Sequence, residues 1–469
     1  MLKKMSLKNV CLPLQGGLKI HVPDSLELIT PYVLREQEDW FEDEIKFLRK
    51  ILQTGERIID IGANYGTYTL SMAQVVGKAG AVWAFEPATS TAACLRASVE
   101  ANGCDHIVVD QCALSSAPGS ARLALNLNSE LNALVRGASS NATEEVQVFT
   151  LDDRMDHYGW TDIAFLKIDA EGEEENILAG GRRFFSTQSP LVEFEYKAGR
   201  EVNEGLVEAF AALGFSSYRL VPGLDVLVPF PPGSVPDGFL LNLFCCKSDR
   251  AAMLHERGIL VRADDAEGAA GATIPLQMVH HWRNAFKSVA SALDFMPLWE
   301  QTMDAAPVAE LESALDLYFF SHDTGQSHVL RAEALARSLK LLKGLCEAQP
   351  LCLRECTYAR VAREFGARQD AVMALNVLAK RIFSSKEINP REPFLLPLAT
   401  WDGTVAGSGQ GDMVFAAVLE GLEVMSAFSS FYSGESSRGR LELIRKLGFG
   451  SPEMGRRLDL LNRRFAKSA

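Results

Sequence analysis

Apolar residues follow two different rhythms along this chain, and the rhythm changes near residue 248. Before that point, short unbroken apolar runs alternate with stretches of helical spacing. Ile58-Ile59-Asp60-Ile61 runs straight into Gly62-Ala63-Asn64-Tyr65-Gly66, and a helical pattern follows over Thr67 to Val76. Val82-Trp83-Ala84-Phe85-Glu86 is a second run, stopped by Pro87. Ile107 to Cys112, Ile163 to Ile168 and Leu191 to Tyr196 continue the series, with Ser217 to Val221 and Phe239 to Cys246 as further candidates. Helical patterns fall between them at Thr89 to Asn102, Glu173 to Phe185 and Glu201 to Leu213. Strands alternating with helices predict an α/β fold with a doubly wound, mostly parallel, Rossmann-like sheet. Such sheets bind ligands beyond the carboxyl ends of their strands. Asp60, Glu86, Ala113, Asp169 and Glu195 stand at such ends or just past them.

The flanking segments read differently. Residues 1–55 form a lead-in, with short strand candidates at Leu18 to Val22 and Glu27 to Ile29 and an amphipathic helix over Trp40 to Leu52. The alternation in Leu123 to Asn128 predicts a β-extension within 115–150, and Gly137 to Thr143 a mobile loop. The Pro- and Gly-rich stretch 222–238 predicts a turn-rich excursion between the last two strands. Past residue 248 strand signals stop. Helices are expected over Leu276 to Leu293, Ala309 to Phe320, Val329 to Glu347, Leu353 to Phe365, Gln369 to Phe383, Met413 to Phe431, Ser437 to Leu447 and Glu453 to Phe465. The division expected is therefore 1–55, 56–248 and an all-α domain 249–469, with a linker near 264–275. Tyr358 to Gly366 and Asp370 to Leu375 resemble one tetratricopeptide unit. About three units are normally needed for a solenoid, so a generic helical bundle stands beside that reading.

The turn after the first strand carries the chemistry. Glycine lets backbone approach a ligand and adopt positive φ, and the helix N-terminus offers free N–H groups. A dinucleotide fingerprint wants G-x-G-x-x-G, but Asn64 replaces its second glycine. The form D-x-G-x-N-x-G suits S-adenosylmethionine, which has no phosphate. Asp60 and the amides around Gly62, Asn64 and Gly66 can meet its amino-acid end, Glu86 its ribose hydroxyls, and the backbone of Ala113-Leu114 its adenine. A dinucleotide, or a plain strand-turn-helix with no ligand, is the alternative. Asp169, one residue past a buried strand, is the candidate general base. Lys167 shares its face and can keep it charged or orient an acceptor. Glu171 joins the pair, although an acid there also suits the start of a helix, and acids at a strand end often only bond the next helix's turn amides. Asp169, Glu171 and Glu195 are hard oxygen ligands of the kind Mg²⁺ or Ca²⁺ takes, but nothing in their spacing demands a metal, and none is expected.

IIDIGANYGTYTL (58–70), VWAFEP (82–87), Ala113-Leu114-Ser115, FTLDDRM (149–155), FLKIDAEGEEENILAGG (165–181) and PLVEFE (190–195) together resemble the FkbM-type methyltransferases, over roughly residues 30–200. The resemblance implies a class I S-adenosylmethionine-dependent enzyme methylating a hydroxyl, commonly of a sugar or a natural product. It points to Gly62, Asn64, Gly66 and Glu86 for the cofactor and to Lys167, Asp169, Glu171 and Glu195 near the transfer site. Phe41-Glu42 matches an aromatic-Glu pair frequent in the family, which makes Glu42 a substrate-side candidate. Tyr65 and Thr67 stand where the family often has a basic or small residue.

Composition narrows the setting. A net charge of −13 over 469 residues argues against a nucleic-acid substrate. No apolar run is long enough for a membrane span. Nine cysteines, odd in number and without C-x-x-C pairs, argue against a disulfide framework and zinc, and fit a cytoplasmic setting. Cys352 and Cys356 share a helix spacing that suits core packing. His157 follows the L-D-D segment within reach of the site, or is simply an exposed loop histidine. His280-His281-Trp282 reads as helix. Residues Ser436 to Lys467 carry nine Lys and Arg against three acids, a docking face for an acidic partner or a solvated helix face. The partner expected is a hydroxylated acceptor, a glycan or glycosylated metabolite. A protein partner on the helical domain and homo-oligomerisation are both compatible with the sequence. A polyketide or peptide acceptor, or a non-catalytic scaffold with a relic cofactor site, are the alternatives.

Overall fold

The computed structural model describes residues 8–466, apart from 127, 136–141, 199–200, 349–352, 386–387 and 408. It divides into two compact units. One comprises residues up to 219, 229–234 and 240–256; the other comprises 220–228, 235–239 and 257 onward.

The first unit opens with β1 (Asn9–Pro13) paired antiparallel to β2 (Lys19–Pro23), then α1 (Ile29–Gln37) and α2 (Asp43–Ile51). The alternating half runs β3 (Arg57–Ile61), α3 (Thr67–Val76), β4 (Ala81–Phe85), α4 (Thr89–Asn102) and β5 (Ile107–Asp110). A smaller sheet follows from β6 (Ala113–Leu114), β7 (Gly119–Leu125), β8 (Ala133–Val135) and β9 (Ala142–Phe149). The chain returns through α5 (Leu151–Tyr158) to β10 (Phe165–Ile168), α6 (Glu174–Gly180), α7 (Arg182–Thr187) and β11 (Leu191–Glu195). A two-residue pair, β12 (Lys197–Ala198) and β13 (Glu201–Val202), precedes α8 (Glu204–Ala212). Then come β14 (Ser216–Val221), β15 (Val226–Pro229), β16 (Asn242–Cys246) and α9 (Ser248–Glu256). The main sheet has the order β15-β14-β16-β11-β10-β3-β4-β5. Its centre, β11-β10-β3-β4-β5, is parallel, and β16 joins antiparallel to β11 and β14. The mostly parallel sheet read from the strand-helix alternation is therefore present. The central strands are buried on both faces, which is why they read as continuous apolar runs.

Several local expectations change. Glu27 to Ile29 is not a strand: α1 begins at Ile29, with Pro31 in its first turn and Tyr32, Val33 and Leu34 buried. Proline is tolerated there because the N–H it lacks has no intrahelical partner. The run Ile107 to Cys112 stops at Asp110, whose carbonyl accepts from Cys112 N at 3.0 Å. That turn sends Ala113-Leu114 into the smaller sheet opposite Val148-Phe149. Glu173 to Phe185 splits into α6 and α7, where Gly180 and Gly181 are packed too tightly for a side chain. A Cβ on Gly180 would lie 2.2 Å from the Ser115 carbonyl oxygen. The helix expected from Glu201 starts at Glu204, because Asn203 Oδ1 caps it by accepting from Leu206 N. The excursion 222–238 contains β15, an edge strand where its prolines are tolerated. The Gly137 to Thr143 loop falls largely outside the described residues, and β9 takes up its end from Ala142.

The second unit is helical: α10 (Ala263–Ala269), α11 (Trp282–Ala285), α12 (Met296–Ala305), α13 (Ala309–His322), α14 (His328–Ala348), α15 (Arg354–Phe365), α16 (Arg368–Ser385), α17 (Gln410–Ser426), α18 (Ser430–Ser433), α19 (Arg438–Leu447) and α20 (Pro452–Phe465). From α13 to α17 each helix packs on the next. The tetratricopeptide-like pair is α15 and α16, separated by Gly366 at φ +92°. Leu276 to Leu293 is not one helix. Asp316 accepts from Trp282 N at 2.8 Å and fixes the start of α11, and tight turns over Phe286–Ser288 and Ala290–Ala292 let Trp282 and Phe286 both enter the core. His280 precedes that helix, buried, with Nε2 3.0 Å from Asp323 Oδ2, and His281 caps it. Met413 to Phe431 breaks after Ser426, where Arg368 takes the last carbonyls, Met425 O at 2.8 Å and Val424 O at 2.9 Å. Cys352 lies outside the described residues; Cys356 is fully buried. Among the described residues the other cysteines are free, and no single helix is long and apolar enough to cross a membrane.

One glycine ties the sheet's two ligand-side turns together. Gly62 has φ +81°, and a Cβ there would stand 1.7 Å from the Asp169 carbonyl oxygen. Gly62→Ala is expected to lower stability by about 2–4 kcal/mol, combining overpacking with a left-handed backbone. Urea unfolding measures it, and an unchanged midpoint would refute the close approach.

Candidate active site

Turns at the carboxyl ends of β3, β4, β10 and β11 assemble the site. The β3 turn is left-handed at Gly62, Asn64 and Gly66, with φ of +81°, +49° and +96°. Gly62 N and Ala63 N donate to Phe85 O at 3.1 and 3.0 Å, which locks the turn to the end of β4. Glu86 continues the lock. Its Oε2 accepts from Asn64 N at 3.0 Å and its Oε1 from Ala88 N at 2.8 Å. Burial pushes its pKa up to about 7, against the pull of those two amides. Each oxygen keeps a second acceptor direction for a ligand hydroxyl.

Asp60 lies deeper, 1% exposed. Its Oδ2 accepts from Thr69 Oγ1 at 2.5 Å, so it braces the first turn of α3, and its Oδ1 has no hydrogen-bond partner among the described residues. Burial raises its pKa, and Lys167 opposes the rise. Ala113 and Leu114 put their side chains into two apolar cores, which leaves only their backbone for a ligand.

The β10 turn holds the second group. Lys167 is 4% exposed, and its Nζ lies 2.6 Å from Asp169 Oδ2 and 4.8 Å from the centre of the Tyr68 ring. Burial alone would lower the ammonium's pKa; Asp169, Asp60, Glu193 and Glu42 outweigh it and raise it. The Asp169 side chain is 39% exposed, so this ion pair has one buried and one open end. Glu171 sits in the turn at φ +48°, outside the first turn of α6. Burial, then Asp169, Glu174 and Glu130, push its pKa to about 8. Glu195, at the end of β11, rises to about 9 through burial and the charges of Asp169, Glu171 and Glu174. Asp169, Glu171 and Glu195 thus form one acidic mouth.

The acid that braces the turn amides is Glu174, whose Oε1 accepts from Ala170 N at 3.0 Å and Gly172 N at 3.2 Å. Asp169 is left to Lys167. Glu42, the residue before α2, accepts from Tyr68 Oη at 2.5 Å, and burial raises its pKa in the field of Lys167. His157 is exposed on α5, edge-on to Tyr158, and is not part of this cluster.

Three participants went unread in the sequence. Glu130 bonds the main-chain N and hydroxyl of Thr30 and rises to about 7 through burial; it sits in an irregular stretch with no motif around it. Tyr68 looked like one more helix residue. Glu193 was visible as an acid inside an apolar strand, which is itself a signal of a special role. Among the described residues no group of three or more His, Cys, Asp and Glu side chains could hold a metal ion.

Residues 60–217 match the family model described as the methyltransferase FkbM domain. No curated protein matches the chain. Among solved structures, a methyltransferase FkbM from Methylobacillus flagellatus KT is 18% identical, with a TM-score of 0.29, over 42% of this chain and 45% of that one. A putative rRNA methylase from Clostridium thermocellum is 10% identical, with a TM-score of 0.29, over 45% and 95%. A putative methyltransferase from Streptococcus mutans, in complex with SAH, is 9% identical, with a TM-score of 0.26, over 44% and 95%. These structural likenesses are too distant to add to the family match.

The raised carboxyls make stability depend on pH. A carboxyl whose pKa rises on folding binds its proton more tightly when folded. Its contribution is complete below the ordinary carboxylate range and is lost as pH climbs through the folded value. The ligand-free protein should therefore weaken between about pH 5 and pH 9, the window set by Glu86, Glu171 and Glu195. Glu195→Gln should flatten that slope, gaining on the order of 1 kcal/mol near pH 9 after allowance for partial solvent screening. Urea midpoints across pH test this, and parallel curves for the two proteins would contradict it.

Proposed function

We infer that the FkbM-type, S-adenosylmethionine-dependent methyltransferase domain at residues 60–217 transfers a methyl group to a hydroxyl of a sugar or glycan, with Asp169 as the general base. The observation that carries this reading is the half-open Lys167–Asp169 pair. A buried ammonium fixes a carboxylate at the mouth of the site, one turn away from Gly62 and the cofactor loop.

The residues fit the cofactor. Glycine is required at 62 and 66 because both have positive φ and a Cβ would collide with Asp169 O at 1.7 Å or Leu95 Cδ1 at 2.4 Å, which holds the turn tight against its neighbours. Glu86 is placed to receive ribose hydroxyls, and the Asn64 turn to meet the amino-acid end. When bound, S-adenosylmethionine supplies a methyl group on a sulfonium, open to in-line attack. Alignment of the acceptor oxygen with that methyl contributes up to about 7–11 kcal/mol. An alcohol oxygen must also shed its proton. Asp169, half-open to solvent while Lys167 holds its Oδ2, is the acceptor for it in this reading.

The mouth supports this acceptor class. Burial and neighbouring acids push Glu171 up to about 8 and Glu195 up to about 9, which favours carboxyls that can both donate to and accept from a hydroxyl. That suits a neutral polyol and disfavours a polyanion such as nucleic acid, in line with the net charge of −13. An apolar polyketide would leave these carboxyls unpaired. The free cysteines fit a reducing, cytoplasmic setting. A protein partner on the helical unit and self-association belong to the same proposal.

Transfer of labelled methyl from S-adenosylmethionine to a panel of hydroxylated glycans tests the reading. Asp169→Asn should lower kcat by roughly 10²–10⁴-fold while leaving cofactor affinity within a few-fold. A variant transferring at the wild-type rate would remove Asp169 from the role of base, and transfer confined to apolar acceptors would overturn the acceptor class.

A further inference from the structure

Asp60, Lys167 and Glu193 are direct partners across β3, β10 and β11, so their side chains leave the same face of the sheet in one row. Helices α2 and α3 cover that face, with Phe47 against Phe244 at 5.4 Å and Tyr68 over Lys167. Nothing in the row opens to solvent: Glu193 is 0% exposed, Asp60 1% and Lys167 4%.

One ammonium therefore serves four carboxyls, those of Asp60, Glu193, Glu42 and Asp169. Their hydrogen bonds are distributed unevenly. Lys167 is committed to Asp169, the Tyr68 proton goes to Glu42, and the Thr69 proton goes to Asp60. Both oxygens of Glu193 are left without a hydrogen bond of their own among the described residues, although the Tyr68 hydroxyl that bonds Glu42 also acts on them. An ionised carboxylate in that position would be buried, beside Glu44 and Glu42, and offset only by an ammonium already committed to Asp169. The neutral acid avoids the cost of a buried charge and its repulsion by the neighbouring carboxyls.

We propose that Glu193 is a positioning residue, held as the neutral acid, that keeps Lys167 on Asp169. A charged Glu193 would compete for the ammonium from the strand next door and draw it inward, away from the mouth. A neutral Glu193 fills the space beneath the lysine without contesting its charge. The Lys167–Asp169 pair then stays at the site's open end, where the acceptor proton arrives. Facing groups on the packed elements agree. Burial pushes Glu193 well above the usual carboxylate range; Lys167 and Tyr68 pull it down, Glu44 and Glu42 of the α2 segment push it up, and β16 places Phe244 opposite it, with Asn242 and Cys246 on the same face. The positioning role rests on Asp169 being the base; the protonation state does not.

The test uses the intact protein labelled with ¹³C at glutamate carboxyls, with the Glu193 signal identified by its loss in Glu193→Gln. At pH 7 the lost signal is expected to be that of a carboxylic acid. A carboxylate signal overturns the proposal whatever the acceptor is. The second readout is the pH profile of kcat. Wild type should lose activity at alkaline pH as Glu193 ionises and draws Lys167 away, and Glu193→Gln should carry its activity about one pH unit or more further. Identical alkaline limbs would overturn the positioning role. A carboxylic-acid signal in a protein that transfers no methyl group would instead count against Asp169 as base.

Discussion

A single buried ammonium among four carboxyls is the constraint around which this site is organised. Lys167 cannot satisfy Asp60, Glu193, Glu42 and Asp169 at once, so the fold distributes neutral donors among the rest. Thr69 and Tyr68 of α3 take Asp60 and Glu42, and the position of α3 is set by the glycine turn that would also cradle a cofactor. The ion pair at the mouth, the glycine turn and the helix above it are thus mutually dependent. A change in any one alters which carboxyl the lysine faces. Desolvation supplies the energy scale: a charge moved from water to such a place is expensive unless paired, so each carboxyl here is paired, bonded or protonated.

Much of the fold was legible because punctuation and periodicity agreed. Helix α3 and helix α4 run Thr67–Val76 and Thr89–Asn102, with the limits read from the sequence, since glycines at 66, 77 and 103 mark their ends. The parallel centre was legible from unbroken apolar runs. What failed were places where tertiary contact overrode local pattern. The α6–α7 break depends on the Ser115 backbone lying against Gly180, which is far away in sequence. The break after Ser426 depends on Arg368 taking carbonyls from another helix. Neither leaves a local trace.

The site divides along the same line. The turn at Gly62, Asn64 and Gly66 and its lock to Glu86 were legible because that geometry is local, a turn and the strand end beside it. The pairing of Lys167 with Asp169 was legible from a spacing of two along a strand. The row Asp60–Lys167–Glu193 was not, because it joins three strands that are far apart in sequence and become neighbours only through the sheet's crossover order. Glu130 and Tyr68 reach the cluster only through the packing of distant segments. The helical unit gives the same lesson in Arg360, which is 4% exposed and bonds Asp402, Glu364 and Tyr318 together. No spacing rule announces such a hub.

Calorimetric titration of the intact protein with S-adenosylhomocysteine tests the central claim most directly, that the glycine turn and Glu86 form a cofactor site coupled to the Lys167–Asp169 mouth. The account predicts saturable binding in the micromolar range, weakened at least about tenfold in Glu86→Ala through loss of the ribose contact. No binding, or equal binding by the two proteins, would contradict it.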